Sequence, residues 1–328
     1  MDDRHLTSTV IVWALCAGWI GCGGATRLPR VPDAPPSREQ MAQFWIDPAS
    51  RPRDTFWGVG GEKLAPPPDA HYKLTAKDEL GFSVSYDVAG PDDVEWSAKI
   101  GPEAQTETLL SRLLWGLGYH QPPLYYLPSW NLIEENGEVK KISEARFRPK
   151  LDHLDRKDEF WHWADNPFIG TRPFNGLFVI LLMFNSTDLK DDNNSIYELK
   201  EPWAGMPDVR RWFVVRDLGA ALGETGKLYP RRNWIDGFER EGFITGVKGN
   251  RIEFAYTGRH RELLRMVTPE DLRWAATRLQ RLTDAQWKDA FRAANYSEEI
   301  RDRYLTKIRQ KIDEALAASQ RARDTDGV

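Results

Sequence analysis

A carboxylate and an amide stand with four residues between them in the run DLKDDN, which begins at Asp188 and ends at Asn193. The stretch GLFVILLM (176–183), among the most apolar in the chain, lies just upstream. A second carboxylate, Asp217, follows the apolar run RWFVV and leads into Leu218 and Gly219. Lys99 ends the alternating segment VEWSAK, and Glu103 and Glu107 follow it one helical turn apart. Gly81, Ser83 and Ser85 punctuate ELGFSVSYDV. These residue types suit phosphoryl transfer from ATP. A lysine would pair the nucleotide phosphates and be steadied by a helix carboxylate. One Asp would accept the proton of an attacking hydroxyl, while an Asn and a second Asp would hold Mg2+ against the phosphates. The placement explains why polar residues cap the most apolar segments: they would be ligands mounted on buried supports.

Each signal alone has a plainer explanation. An isolated lysine is usually solvated, two glutamates one turn apart often mark a wet helix face, and an Asp/Asn run can be a surface loop. The run lacks the glycine and closing glutamate of a calcium loop. The order of the pieces along the chain is what favours the joint reading.

These elements must position the candidates. Alternation and turn signals predict strands near 72–76, 82–88 and 94–99. PEAQTETLLSRLLWGLGY then has helical spacing, with Leu109, Leu113 and Leu117 on one face and Gly118 as its stop. PPLYYLPSWNLI reads as a strand and NGEVKK as a hairpin turn. RPFNGLFVILLMFN is a buried helix, and SIYEL and RRWFVVRD are short strands. From Thr268 three helices follow, each opened by Thr or Ser with an acidic residue nearby. The expected organisation is a β-rich lobe at 71–133 with one helix, a mainly helical lobe at 134–318 and a frayed tail at 319–328. This is an α+β, two-lobed class.

With the elements in place, the sequence resembles the protein-kinase-like superfamily, and within it the divergent HipA-like, CotH-like and secretory branch. The likeness runs by motif from about Tyr72 to Gly223. It implies a two-lobed kinase-like fold and Mg2+- and ATP-dependent transfer to an unknown acceptor. Lys99 would pair phosphates and Glu107 would be its preferred helix partner, with Glu103 as the alternative. Gly81, Ser83 and Ser85 would form the turn over the nucleotide. Asp188 would be the catalytic base, and Asn193 and Asp217 the metal ligands. The chain departs from the common pattern in four ways. Gly81 stands alone where three glycines are usual, and Asn185-Ser186-Thr187 precedes Asp188 in place of His-Arg. No Ala-Pro-Glu follows Asp217, and 201–210 reads as an insertion.

The chain has 328 residues and a formal net charge of -4, enough for a real core and without the basic excess of a nucleic-acid binder. The 14 tryptophans could line a sugar surface, though core filling is the ordinary use of large rings. His71, His120, His153, His162 and His260 show no zinc spacing, and His162 reads as packed among aromatics. No G-x-S-x-G elbow occurs. The stretch ARFRPKLDHLDRKDEFWHW reads as a solvated insertion. Both cysteines, Cys16 and Cys22, lie in the first 22 residues, so the body has no disulfide. No charge occurs from Leu6 to Thr26, and Gly21-Cys22 resembles a lipobox. The expectation is a signal or anchor at 1–22, acylation at Cys22 in a bacterial envelope and a Pro-rich tether with an N-terminal extension at 23–70. An uncleaved anchor or an ordinary cleaved signal is the alternative. Two other functions fit the same sequence: a non-catalytic lipoprotein (a pseudokinase or scaffold) and a carbohydrate-active or carbohydrate-binding protein. The scarcity of ATP in the envelope favours the first of these.

Overall fold

The computed structural model describes residues 28–78, 83–203, 205–226 and 230–326. Gly81, Cys16 and Cys22, and with them the anchor and lipobox expectations, lie outside the described residues. Among the described residues no helix is long and apolar enough to cross a membrane.

The N-terminal extension is in large part packed chain. Ser37 caps the short helix α1 (Arg38–Ala42) through a capping box with Gln40. Phe44 then buries its ring against Phe168, with centroids 4.6 Å apart. Arg278 pairs with Asp47 at 2.7 Å. The apolar residues Phe44, Trp45 and Ile46 outweigh the extended bias of the upstream prolines, so the segment docks on the body.

Strands β1 (His71–Asp78), β2 (Ser85–Ala89) and β3 (Glu95–Ile100) precede helix α2 (Glu103–Gly116), and β4 (Tyr125–Ile133) and β5 (Val139–Pro149) follow it. The five strands close into a barrel in the order β1-β2-β3-β5-β4, with β1 parallel to β4 and every other pair antiparallel. Alternate residues point inward, so Tyr72, Val88, Trp96, Ala98, Trp130 and Phe147 form one apolar core. The Asn136-Gly137 turn joins β4 to β5, with Gly137 at φ +84°. Because β5 completes the barrel, this lobe extends to Pro149 and does not end at 133. Arg146 and Arg148 are therefore strand residues rather than part of a solvated insertion.

Helix α2 is buried nearly all round and belongs to the larger core. Leu109, Leu113 and Leu117 lie there as expected, joined by Leu110 and Leu114. Gly118 ends the helix at φ +107°.

The second lobe begins with β6 (Leu154–Arg156) and the apolar helix α3 (Arg172–Met183), capped by Thr171 with Pro173 in its first turn. Strands β7 (Asn194–Leu199) and β8 (Arg211–Val215) pair antiparallel, and β6 lies on the outer side of β7. The segment 201–210 is the β7–β8 connection, and Met206 and Val209 anchor it against Trp212. Helix α4 (Ile235–Arg240) and a hairpin of β9 (Ile244–Lys248) and β10 (Arg251–Phe254) precede α5 (Pro269–Gln280), α6 (Asp284–Ala293) and α7 (Glu298–Asp326). Thr268 and Thr283 cap α5 and α6 through capping boxes. Among the described tryptophans, Trp96, Trp130, Trp161, Trp163, Trp212 and Trp287 are buried and fill cores.

The molecule is thus α+β with a β-barrel lobe and a mainly helical lobe. The tail expected to fray is helix. Ala318, Ser319 and Ala322 are buried, on a helix that packs against α5. A chain stopped after Ala317 should lose about 2 kcal/mol of stability, at ~0.8 kcal/mol per buried methyl-sized group plus the lost last turns. Urea unfolding of the two chains, followed by circular dichroism, measures the difference.

Candidate active site

Antiparallel pairing places Lys99 between Ser85 on β2 and Arg146 on β5. Gly101, at φ +106°, turns the chain from β3 into α2, so Glu103 opens the helix four residues after Lys99. A carboxylate is favoured there by the helix N-terminus. Lys99 Nζ lies 2.8 Å from Glu103 Oε2 and 2.7 Å from Asp217 Oδ1. The lysine side chain is 13% exposed. Ser83 Oγ donates to the same Glu103 oxygen at 3.1 Å. Arg232 pairs with the other.

The lysine partner is therefore Glu103, which corrects the expectation of Glu107. Both carboxylates sit on α2, but Glu107 faces β5, where Arg146 and Arg148 stand two residues apart on one face. Glu107 accepts from Arg146 Nε at 3.2 Å and from Arg148 Nη2 at 2.6 Å and is 1% exposed. Burial alone would raise its pKa. The guanidiniums of Arg146 and Arg148, with Lys99 further off, outweigh burial and hold it at about 2. Glu107 thus belongs to the wall of the site rather than to the lysine. Neither arginine was singled out from the sequence. Their i, i+2 spacing before Pro149 is a strand signal, but its buried partner is visible only in three dimensions.

Asp217 sits just past β8 in the left-handed region, at φ +52°. The next residues pass so close to α2 that a Cβ on Gly219 would stand 2.5 Å from the Glu103 Cβ. The glycine of Asp-Leu-Gly is thus required by a close approach. The Asp217 side chain is 42% exposed, open to the cleft despite its ion pair.

Asp188 follows α3 by a short turn. The Thr187 N–H donates to the Ala220 carbonyl at 2.9 Å, which holds this loop against the one after Asp217. Asn193 Nδ2 donates to the Asp188 carbonyl at 2.7 Å and closes the six-residue turn. The Arg216 N–H in turn donates to the Asn193 carbonyl at 2.9 Å. Lys190 Nζ lies 3.1 Å from Asp188 Oδ2. His162 packs beside Phe160, with ring centroids 5.0 Å apart, and its Nδ1 lies 3.1 Å from Asp191 Oδ2.

Ser83, Ser85, Lys99, Glu103, Glu107, Asp188, Asn193 and Asp217 all line one cleft of about 590 Å³ between the lobes. Gly81 is the one candidate that is not among the described residues. Arg146, Arg148, Arg216 and Arg232 line the cleft as well.

Among the described residues no group of three or more His, Cys, Asp or Glu could hold a metal. Asp217 and Asn193 instead present hard oxygen donors, one carboxylate and one amide. That sparse set fits Mg2+, which takes one or two protein ligands and completes its octahedron with phosphates and water.

No family model and no curated protein sequence matches the chain. Among solved structures it is similar to the Helicobacter pylori proinflammatory kinase CtkA at 12% identity, over 77% of this chain and 99% of that one, with a TM-score of 0.45. It is also similar to the Golgi casein kinase at 10% identity, over 81% and 76%, with a TM-score of 0.37. The same kinase with Mn/ADP bound matches at 9% identity, over 78% and 74%, with a TM-score of 0.36.

Replacing Glu107 by Gln would leave two buried guanidiniums short of a counter-charge. At neutral pH this should cost roughly 3–5 kcal/mol. A carboxylate whose folded pKa is depressed contributes stability above its unfolded pKa, near 4.5, and loses it as pH falls through about 2. The gap between wild type and Glu107→Gln should therefore be full above pH 5 and shrink toward pH 2. Denaturant midpoints across that range check both the size and the sign.

Proposed function

We propose that this chain is a kinase-like phosphotransferase that moves the terminal phosphoryl group of ATP, with a divalent cation, to an acceptor hydroxyl. One observation carries the reading. Lys99, held by Glu103, meets Asp217 in the cleft whose wall also carries Asp188 and Asn193.

The roles follow from chemistry and position. Lys99 is a nearly buried donor whose ammonium can contact phosphate oxygens while Glu103 retains its hold. Asp217 and Asn193 would supply the oxygens for Mg2+. When bound, that ion neutralises phosphate charge. Asp188 accepts the proton of the acceptor hydroxyl as its oxygen bonds to phosphorus and the bond to the leaving diphosphate breaks. Ser83, from the turn before β2, restrains Glu103 and so the lysine. Arg232, on the second lobe, braces the same carboxylate.

The reading extends to location. Gly21-Cys22 after an uncharged segment supports a lipid anchor on Cys22, with the packed body beginning shortly after the Pro-rich stretch. Mass spectrometry of the mature N-terminus should find acylated Cys22 as residue one. An intact Met1 would rule the anchor out.

Two near-isosteric substitutions separate the carboxylates. Asp217→Asn should weaken binding of ATP with Mg2+ tenfold or more, about 1.4 kcal/mol at least. Asp188→Asn should bind about as the wild type does while turnover falls by roughly 10²–10⁴. Calorimetry and a phosphate-transfer assay on the soluble body test both. If the wild type binds no nucleotide with any divalent metal, a non-catalytic scaffold on this fold is the better account.

A further inference from the structure

Lys311 lies in the middle of α7, outside the cleft, and is 1% exposed. No carboxylate of the described residues forms an ion pair with it. Its Nζ donates to the Met183 carbonyl at 2.9 Å and to Asn185 Oδ1 at 2.7 Å, and lies 4.2 Å from the centre of the Phe238 ring. Burial pushes the ammonium down to about 7. Glu241 and Glu314 act on it electrostatically without a direct ion pair, and a buried ammonium so weakly compensated costs stability that a methionine of similar length would not. The position therefore calls for a reason beyond packing.

Its acceptors supply one. Met183 and Asn185 flank the turn that joins α3 to Asp188. Asn185 is held in the left-handed region at φ +55°, and its Nδ2 donates to the Gly223 carbonyl at 2.8 Å. Leu222 N–H donates to the Phe184 carbonyl at 2.9 Å, so the two loops are paired at several points. Two helical turns before Lys311, the Tyr304 hydroxyl donates to the Leu222 carbonyl at 3.0 Å. One face of α7 thus grips both the loop leading to Asp188 and the loop following Asp217.

We propose that Lys311 is a positioning residue: through Asn185 it fixes the turn at 184–187 and thereby sets where Asp188 stands relative to Asp217. Its catalytic consequence rests on the phosphotransferase reading. Its structural half stands without nucleotide.

The test compares Lys311→Met, Lys311→Gln, Asn185→Ala and the double variant Lys311→Met/Asn185→Ala with wild type. Leu305→Ala, a buried change elsewhere on α7, serves as a control for lost stability. In the nucleotide-free protein, hydrogen exchange read by mass spectrometry should speed up about tenfold across 184–189 and 220–225 in Lys311→Met, as loss of the two Lys311 hydrogen bonds predicts. Leu305→Ala should not show this local effect. Turnover should fall about tenfold with the KM for ATP within about twofold. The double variant should be no worse than Asn185→Ala. Lys311→Gln, which keeps an N–H donor, should recover part of the protection and keeps the question open to measurement if the methionine variant does not fold. Wild-type exchange in both loops of the Lys311 variants would overturn the proposal. So would equal losses of turnover in Lys311→Met and Leu305→Ala. If the wild type binds no nucleotide, the phosphotransferase reading alone fails, and the exchange data still decide whether α7 clamps the loops.

Discussion

A single ammonium ties the two lobes at the cleft. Lys99 arises from the barrel and meets Glu103 on the adjacent helix and Asp217 on a loop of the other lobe. Without that cation two carboxylates would share one partly desolvated site, where like charges a few ångströms apart repel by several kcal/mol at an effective dielectric near 20. The surrounding geometry serves this meeting. Gly101 starts α2 so that Glu103 comes first in the helix, and Gly219 leaves room for the loop of the other lobe to pass against Glu103. Strand register puts Lys99 on the cleft face of the barrel.

Behind this pair stands a second charge cluster with a different task. Glu107 is out of water and held by two guanidiniums, so neither it nor its partners can leave without a large penalty. That rigidity fixes α2 against β5, and α2 is the element that presents Glu103. A flexible acid at position 107 could compete for Lys99, whereas a locked one cannot. Two glutamates one turn apart therefore divide the work, one facing the cleft and one securing the helix.

Local signals made much of this legible in the sequence. The apolar run 176–183, within a segment long enough for a buried helix, forms one, and the four-residue gap between Asp188 and Asn193 is closed by a side-chain bond within the same turn. Strand alternation and turn residues located β1 through β4 to within a few positions. What stayed hidden depends on partners remote in sequence. Arg146 and Arg148 look solvated until Glu107 is found facing them, so the barrel lobe was cut short of β5. The preference for Glu107 over Glu103 failed because helical spacing says which residues share a face but not which neighbour that face meets. Alternation in ITGVKGNRIEF could have announced β9 and β10. The buried alanines at the end of α7 carry no polar or apolar contrast by which to read them.

Charge balance in the cleft bears on the cofactor that the proposed reaction needs. Lys77, Lys99, Arg146, Arg148, Lys190, Arg216 and Arg232 line it, and so do Asp78, Asp87, Glu103, Glu107, Asp188, Asp192 and Asp217. The carboxylates match the cations in number, and several of each are already committed to one another. A polyphosphate brings at least about one negative charge per phosphorus. Lys99 alone cannot neutralise it, and the arginines on Glu107 cannot be released without unpairing a buried carboxylate. On the proposed reaction, a divalent cation entering with the nucleotide would supply part of the charge needed. Asp217, more than two-fifths exposed and ion-paired with Lys99, is the carboxylate placed to exchange an ammonium partner for a divalent one. On the proposed reaction the same exchange would free the lysine for phosphate, so that binding the metal and binding the nucleotide would become one event.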